Sequence, residues 1–463
     1  MYFARVAEQT PDRRSFGRSA GTLSAGVAAS GALTYIFFAL ASHQLDAVAY
    51  GEIVVLWSAV FVTISVIHQP AEQFVSRSIA EHRARGAAIG ATLRAAAALE
   101  LAVAVAFAIA AIALRNPLQD ELFSGDATLY WIYVGSVLAF GASFFARGFL
   151  AGSERFGLLA GLLMAESASR TGFALAVAVG IAEGQGAIAV GIVAAPVFSL
   201  VVVPLAFGRR ATSGPRPAAP AAAGPTRPRS RALARGGAFA AAVFVIMLSE
   251  QVFLNAGPLL LRAEEGAAEA GFIFNVLMLA RAPLVVFQGV AVSLLPHLAR
   301  LRAASGGESA REFASSIAST LRAVAVFTAL VGAVVAAAGP ELMQVAFGDR
   351  FEYDRAALLS VTAAMGLYLA ATTVNQAILA QGRARRAAQV WALCAAGFLV
   401  WSVLPLIDDA ARRIEVGFAL AALALFALLL RVYRDPGTGD DHPLAAGSSD
   451  EIAARLALSD EAS

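Results

Sequence analysis

Apolar stretches of about twenty residues recur along the whole chain, separated by short polar breaks, with the first at 19–42 and the last at 415–432. Each run is rich in Ala, Leu, Val and Phe with interior Gly, and none alternates polar with apolar residues as a barrel strand does. A helix of roughly 20 apolar residues covers a hydrocarbon core of about 30 Å. In lipid every backbone N–H and C=O needs a partner, which leaves the helix as the available spanning element. The pattern predicts spans at 19–42, 50–68, 88–114, 127–151, 156–181, 185–207, 237–261, 269–294, 318–338, 355–380, 387–406 and 415–432. The expected fold class is therefore all-α, a polytopic membrane protein of about twelve helices. The first apolar run is too long for the core of a signal peptide and lacks a cleavage motif, so the N-terminus is expected to stay attached.

The polar breaks are unequal. Residues 208–236, GRRATSGPRPAAPAAAGPTRPRSRALARG, are rich in Pro, Ala and Arg with no acid, which predicts a flexible linker. The expected organisation is an N-terminal segment (1–18), a six-helix bundle (19–207), the linker (208–236), a second six-helix bundle (237–432) and a polar, acidic tail (433–463). The two bundles look like copies. Tyr50-Gly51-Glu52-Ile53 opens the second helix and Ala270-Gly271-Phe272-Ile273 the eighth, 220 positions later. Leu122-Phe123-Ser124-Gly125-Asp126 precedes the fourth helix and Ala346-Phe347-Gly348-Asp349 the tenth. Phe149-Leu150-Ala151-Gly152 ends the fourth and Leu379-Ala380-Gln381-Gly382 the tenth. Six spans per copy bring the second bundle in with the same orientation, so parallel repeats around a central cavity are expected.

Composition agrees: 59% of residues are hydrophobic and 15% charged, far from the roughly 25% charge of soluble domains. All 35 basic residues are Arg, and their placement says more than the net charge of +2. The even-numbered loops and the termini hold 27 of them and the odd-numbered loops six, which by the positive-inside rule predicts both termini in the cytoplasm. The seven Arg of the linker suit orientation and attraction to anionic lipid. Cys394 is the single cysteine and lies within a span, and the five His are scattered without metal spacing. No phosphate-binding Gly-rich loop is present, so no cofactor, metal, nucleic acid or catalytic residue is expected.

Ionisable side chains inside a span cost roughly 2.5–3.5 kcal/mol and should face a cavity or a partner. Glu166 and Arg170 are four apart on one face of the fifth helix, either a self-neutralising pair or an anion site once Arg170 is released. Arg281 in the eighth helix has no acid at helical spacing, and Gln288 follows it on nearly the same face. It is the better anion candidate, with a bridge to Glu250 or Glu100 as the structural alternative. Glu250, between Ser249 and Gln251 with Asn255 a turn onward, is a candidate for coupling to a proton or cation or for a structural hydrogen bond; Glu100 is a second coupling candidate. Asn275, Asn375 and Gln376 suit either helix packing or sugar contact.

A family resemblance rests on ordered short motifs. Leu45 through Gly51 leads into a helix that ends in the polar stretch Gln69, Pro70, Gln73 and Arg77. Arg147-Gly148-Phe149-Leu150-Ala151-Gly152, Arg155-Phe156-Gly157, Ala280-Arg281-Ala282-Pro283-Leu284, Leu295-Pro296 and Phe347-Gly348 follow in order. From about residue 19 to 432 the chain resembles polysaccharide biosynthesis flippases of the multidrug/oligosaccharidyl-lipid/polysaccharide exporter superfamily. The resemblance implies alternating access, a cytoplasmic-membrane location, and movement of an isoprenoid-diphosphate-linked glycan beside membrane lipids. Glycosyltransferases or polymerases of the same pathway are the implied protein partners. It points to Arg281 and Arg170 as the cationic residues that meet the diphosphate and sugar; Glu166, Gln288, Asn255, Asn375 and Gln376 complete the candidate cavity residues. Two alternatives stand beside it: a cation-coupled exporter of small amphiphiles centred on Glu250, and a non-transporting scaffold for polysaccharide assembly.

Overall fold

The computed structural model describes residues 13–84, 89–208, 229–281, 307–351 and 353–435, and within them every long element is a helix. The first half comprises α1 (Arg13–Gln44), α2 (Ala47–Ile67), α3 (Gln69–Ala84), α4 (Gly90–Ala113), α5 (Ala127–Gly152), α6 (Phe156–Ala178) and α7 (Gly184–Ser199). The second comprises α8 (Arg229–Glu264), α9 (described over 267–281), α10 (Gly307–Phe347), α11 (Arg355–Ala380), α12 (Ala384–Val403) and α13 (Ala410–Arg434). Setting α3 aside, these are twelve helices in the order the hydropathy pattern predicts. Ten stretches are long and apolar enough to cross a bilayer. The two expected spans outside that set are α6, which carries Glu166 and Arg170, and α9, described only over 267–281. The chain is a multi-pass membrane protein.

Three differences from the sequence reading have plain causes. The polar stretch after the second span is a helix of its own, α3, because Ala71, Val75 and Ile79 recur every four residues and bury one stripe. That stripe lies along the end of α5, where Gly148 and Gly152 leave room for the backbone of Glu72 and Ser76. The ninth span runs on past its expected end to Phe347, with a break at Ala338 just before Pro340, whose ring cannot donate into the preceding turn. Helix α8 begins at Arg229, inside the stretch expected to be linker; residues 209–228 lie outside the described residues, as do 1–12 and the tail from 436.

The halves repeat one packing plan. In the first, α1 lies on α6, α6 on α7, and α5 on α7; in the second, α8 lies on α12, α12 on α13, and α11 on α13. Helix starts repeat as well. The four helices α2, α5, α11 and α13 begin at the end of the molecule that carries the odd-numbered loops, and Asp46, Asp126, Asp354 and Asp409 cap them by accepting backbone N–H groups. Each cap satisfies an orphan donor and places a negative charge at the positive end of a helix, worth about 1 kcal/mol.

The repeat-equivalent glycines meet where the halves cross. A Cβ on Gly51 would lie 1.7 Å from the carbonyl oxygen of Ala267, and one on Gly271 3.0 Å from Gly51 Cα. Only hydrogen allows α2 and α9 to approach this closely. Around the crossing an aromatic seam joins the halves: Phe38 with Phe274 at 4.5 Å between centroids, Tyr50 with Phe351 at 5.5 Å, and Tyr35 with Phe347 at 6.2 Å. Tyr35 donates to the Met278 carbonyl and Tyr50 to Asn275 Oδ1.

Two arginines of the second half close the same end from above. Arg350 donates to the carbonyls of Ser42 and Leu45, and Arg262 donates to Leu122 O at 3.3 Å and Ser124 Oγ at 2.6 Å. At such partly solvated sites each arginine contributes on the order of 1 kcal/mol to closure. Arg350→Ala should therefore raise amide exchange across residues 45–53 several-fold, and adding Arg262→Ala should raise it again. Unchanged exchange in the double variant would show that other contacts alone hold this end shut.

Candidate functional site

The interior charges fall into two groups, one in each half. In the first half α6 presents Glu166 and Arg170 toward its neighbours. Glu166 Oε2 accepts from Arg147 Nη2 at 2.5 Å and from Ser143 Oγ at 3.3 Å, both on α5. Its helical neighbour Arg170 stands farther off, with Nη1 4.0 Å from Oε1. The Glu166–Arg170 spacing read from the sequence therefore gives a loose pair, and the close partner is Arg147. Arg170 is 2% exposed; its guanidinium lies 4.4 Å over the Trp57 ring of α2, and Nη2 reaches Thr34 Oγ1 of α1 at 3.3 Å and Ser167 Oγ at 3.4 Å. Its Nε and Nη1 have no hydrogen-bond partner.

Two guanidinium groups thus surround one carboxylate, leaving one positive charge over. A fourth member, half-buried Glu72 on α3, lies within electrostatic reach of Arg147 and Glu166. Burial pushes its carboxyl up to about 7, with Arg147 pulling the other way and Glu166 adding to the rise. The cluster's net charge accordingly moves between zero and +1 around neutral pH.

Glu100 has a separate, buried environment. It pairs with His68 Nδ1, while His68 Nε2 meets the Val137 carbonyl at 2.9 Å and Gly141 gives both groups room. This ties α2, α4 and α5 together within the first half, away from Arg281.

In the second half Arg281, the last described residue of α9, donates to the Leu254 carbonyl of α8. Among the described residues it has no carboxylate partner, and its shielded Nε bonds to nothing. It pairs with neither Glu250 nor Glu100. Two phenols lie within electrostatic reach of it, Tyr35 from the first half and Tyr368 from α11, and Tyr368 stands in turn within reach of Glu250. Glu250, half-buried on α8, makes no ion pair or hydrogen bond among the described residues, so a carboxylate and a guanidinium flank one tyrosine without meeting. Asn255 donates to Gln251 one turn back, and Asn375 accepts from Trp391 Nε1 at 3.1 Å, holding α11 to α12. Gln376 is half-buried on α11, and Gln288 lies outside the described residues.

Sequence reasoning missed four members, Arg147, Glu72, Tyr35 and Tyr368. Arg147 lies so near a helix end that it reads as a topology signal. Tyr35 and Tyr368 read as ordinary aromatic residues of a span. The signal available for Arg147 was its position in the motif Arg147-Gly148, where the glycine marks a close helix approach.

No protein-family profile and no curated protein matches the sequence. Solved structures match in fold. A mutant of the Vibrio cholerae MATE transporter VcmN aligns with a TM-score of 0.58 over 91% of this chain and 95% of its own, at 16% identity. A multidrug resistance MATE family transporter of the MOP superfamily, in its outward-facing conformation, aligns at 0.58 over 90% of this chain and 94% of its own, at 14% identity. The inward-facing conformation aligns at 0.56 with the same coverage, at 13% identity. A MOP superfamily transporter from Pyrococcus furiosus, whose pocket of reverse polarity suggests a different function, aligns at 0.56 over 90% and 95%, at 15% identity. At such identities the likeness is one of fold: this chain has the MATE-type arrangement of two helical halves.

Proposed function

We propose that this protein is an alternating-access exporter of the cytoplasmic membrane whose cargo is an isoprenoid-diphosphate-linked oligosaccharide or polysaccharide precursor. Arg281 carries the reading. It is a cation beside residues of both halves, held by a single carbonyl and free of any carboxylate among the described residues. Leaving a guanidinium in that state costs several kcal/mol unless a ligand supplies the missing charge. A diphosphate suits the planar fork of Arg, which can donate two parallel hydrogen bonds to it. Arg170, with two unpartnered N–H positions, is a second contact for the same class of cargo. The protein serves as a transporter and not as an enzyme in this reading, with membrane lipids and the glycan-assembling enzymes as its neighbours.

The Arg distribution puts the even-loop end in the cytoplasm. The closed odd-loop end then faces outward in this reading. The test is translocation by purified protein in liposomes. A fluorescent isoprenoid-diphosphate sugar should cross at rates well above protein-free vesicles, and lack of any such movement by folded protein would sink the proposal in favour of a scaffold role.

A second reading, export of small organic cations, draws support from the unpartnered Glu250. It predicts uptake of a cationic dye by inverted vesicles that Glu250→Gln abolishes. The lipid-diphosphate reading expects Glu250→Gln to leave lipid translocation within about threefold of wild type.

A further inference from the structure

The odd-loop end of the second half contains a crevice of about 370 Å³ between the ends of α8, α9, α11 and α13. Its acidic lining comprises Glu265, Glu269, Asp354, Asp409 and Glu415, against the single cation Arg412. Two of these carboxylates are committed, since Asp354 and Asp409 cap helix starts, and Glu265 meets the Ala410 N–H at 3.3 Å. Glu415 is different. It is 6% exposed, lines the crevice, and has no hydrogen bond or ion pair among the described residues. A carboxylate that is nearly buried and unpartnered is stable only when something satisfies its oxygens. The side walls supply Phe272 and Tyr353, whose rings lie 5.2 Å apart.

The first half provides an internal comparison at the repeat-equivalent place. There Glu52 occupies the position of Phe272, and Gln185, the second residue of α7 as Ala411 is of α13, donates to Glu52 Oε2 at 2.7 Å. Ser124 donates to the other oxygen at 2.9 Å. The chain thus fills this niche with its own donors in one half. In the other half an aromatic ring and alanine replace the carboxylate and its donor, and Glu269 and Glu415 at the opening have no donor among the described residues.

We propose that this crevice binds a small organic ammonium group, carboxylates receiving its N–H donors and the two rings facing its alkyl shell. The volume suits a small organic ion and far exceeds a dehydrated metal. Aromatic walls favour such a cation over a hydrated one. Among the described residues no three acidic or imidazole groups converge closely enough to hold a metal. A free amine and an ethanolamine lipid headgroup at the membrane surface both present this ammonium, and the chemistry recognised is the same.

The full chain in detergent, titrated calorimetrically with ethanolammonium chloride, should show saturable binding. Glu415→Gln should weaken it at least tenfold and Glu269→Gln several-fold, while calcium chloride gives no saturable heat. If the site serves a lipid, free ethanolammonium is inert and phosphatidylethanolamine nanodiscs raise thermal stability over phosphatidylglycerol nanodiscs, a gain both variants lose. Should Glu415→Gln not fold, Glu269→Gln decides. No response to either ammonium source, equal response in the variants, or calcium binding at the same carboxylates would overturn the proposal. Because the readout is binding, export can fail while this site stands, and the reverse.

Discussion

Gly51→Ala will abolish the closed odd-loop end. The added carbon would lie 1.7 Å from the Ala267 carbonyl oxygen and 2.3 Å from its carbon, and both atoms are backbone. No side-chain rotation relieves that contact, so α2 and α9 must part by roughly 2 Å to reach ordinary van der Waals distance. Overpacking against yielding side chains costs about 1–3 kcal/mol, and a rigid backbone clash costs more. Spin labels at Asp120→Cys and Ala263→Cys, in a Cys394→Ser chain, should report a longer and broader distance across this end. Gly271→Ala should be milder, its new carbon meeting neighbours at 3.0 Å. Gly172→Ala, with nothing within 4 Å, should leave the distances as in wild type. Equal distances in all three would mean that the glycine crossing does not limit how closely the halves approach.

Arg281→Ala should cut translocation of a lipid diphosphate by at least tenfold. One or two charge-assisted hydrogen bonds to phosphate are worth about 1.5–3 kcal/mol each. Thermal stability is the second readout, and its sign separates a binding role from a structural one. Arg281 has one carbonyl partner and no counter-ion among the described residues, so removing it deletes an uncompensated charge. The variant should melt at the wild-type temperature or above it. Arg170→Ala should melt lower, because it strips Trp57, Thr34 and Ser167 of a packed partner and leaves Arg147 alone with Glu166. Arg281→Lys keeps the charge but loses the fork, so its rate should fall between alanine and wild type. A destabilised Arg281→Ala that still translocates normally would assign Arg281 to packing.

Helix order was legible because apolar run length is a one-dimensional property, and it reappears in α1 through α13 with α3 added. The repeat was legible too, and one of its three weak matches, around Gly51 and Gly271, is where the halves touch. Partner choice was not. The i to i+4 spacing of Glu166 and Arg170 suggested a pair, but geometry across two helices gave the carboxylate to Arg147. Glu100 and His68 lie on different helices, so nothing in their spacing announced that they meet. Asn375 turned out to hold an indole, a contact that depends on the α11–α12 crossing. Such partners depend on helix rotation, which hydropathy leaves undetermined.

The latch made by Arg350 has an uneven consequence for mutational tolerance. Its acceptors at Ser42 and Leu45 are main-chain carbonyls, which every residue type supplies. A saturation library scored for closure should therefore accept small residues at the buried position 42, while every substitution at 350 weakens closure. The two halves, alike in plan, would then drift at different rates along the edge they share.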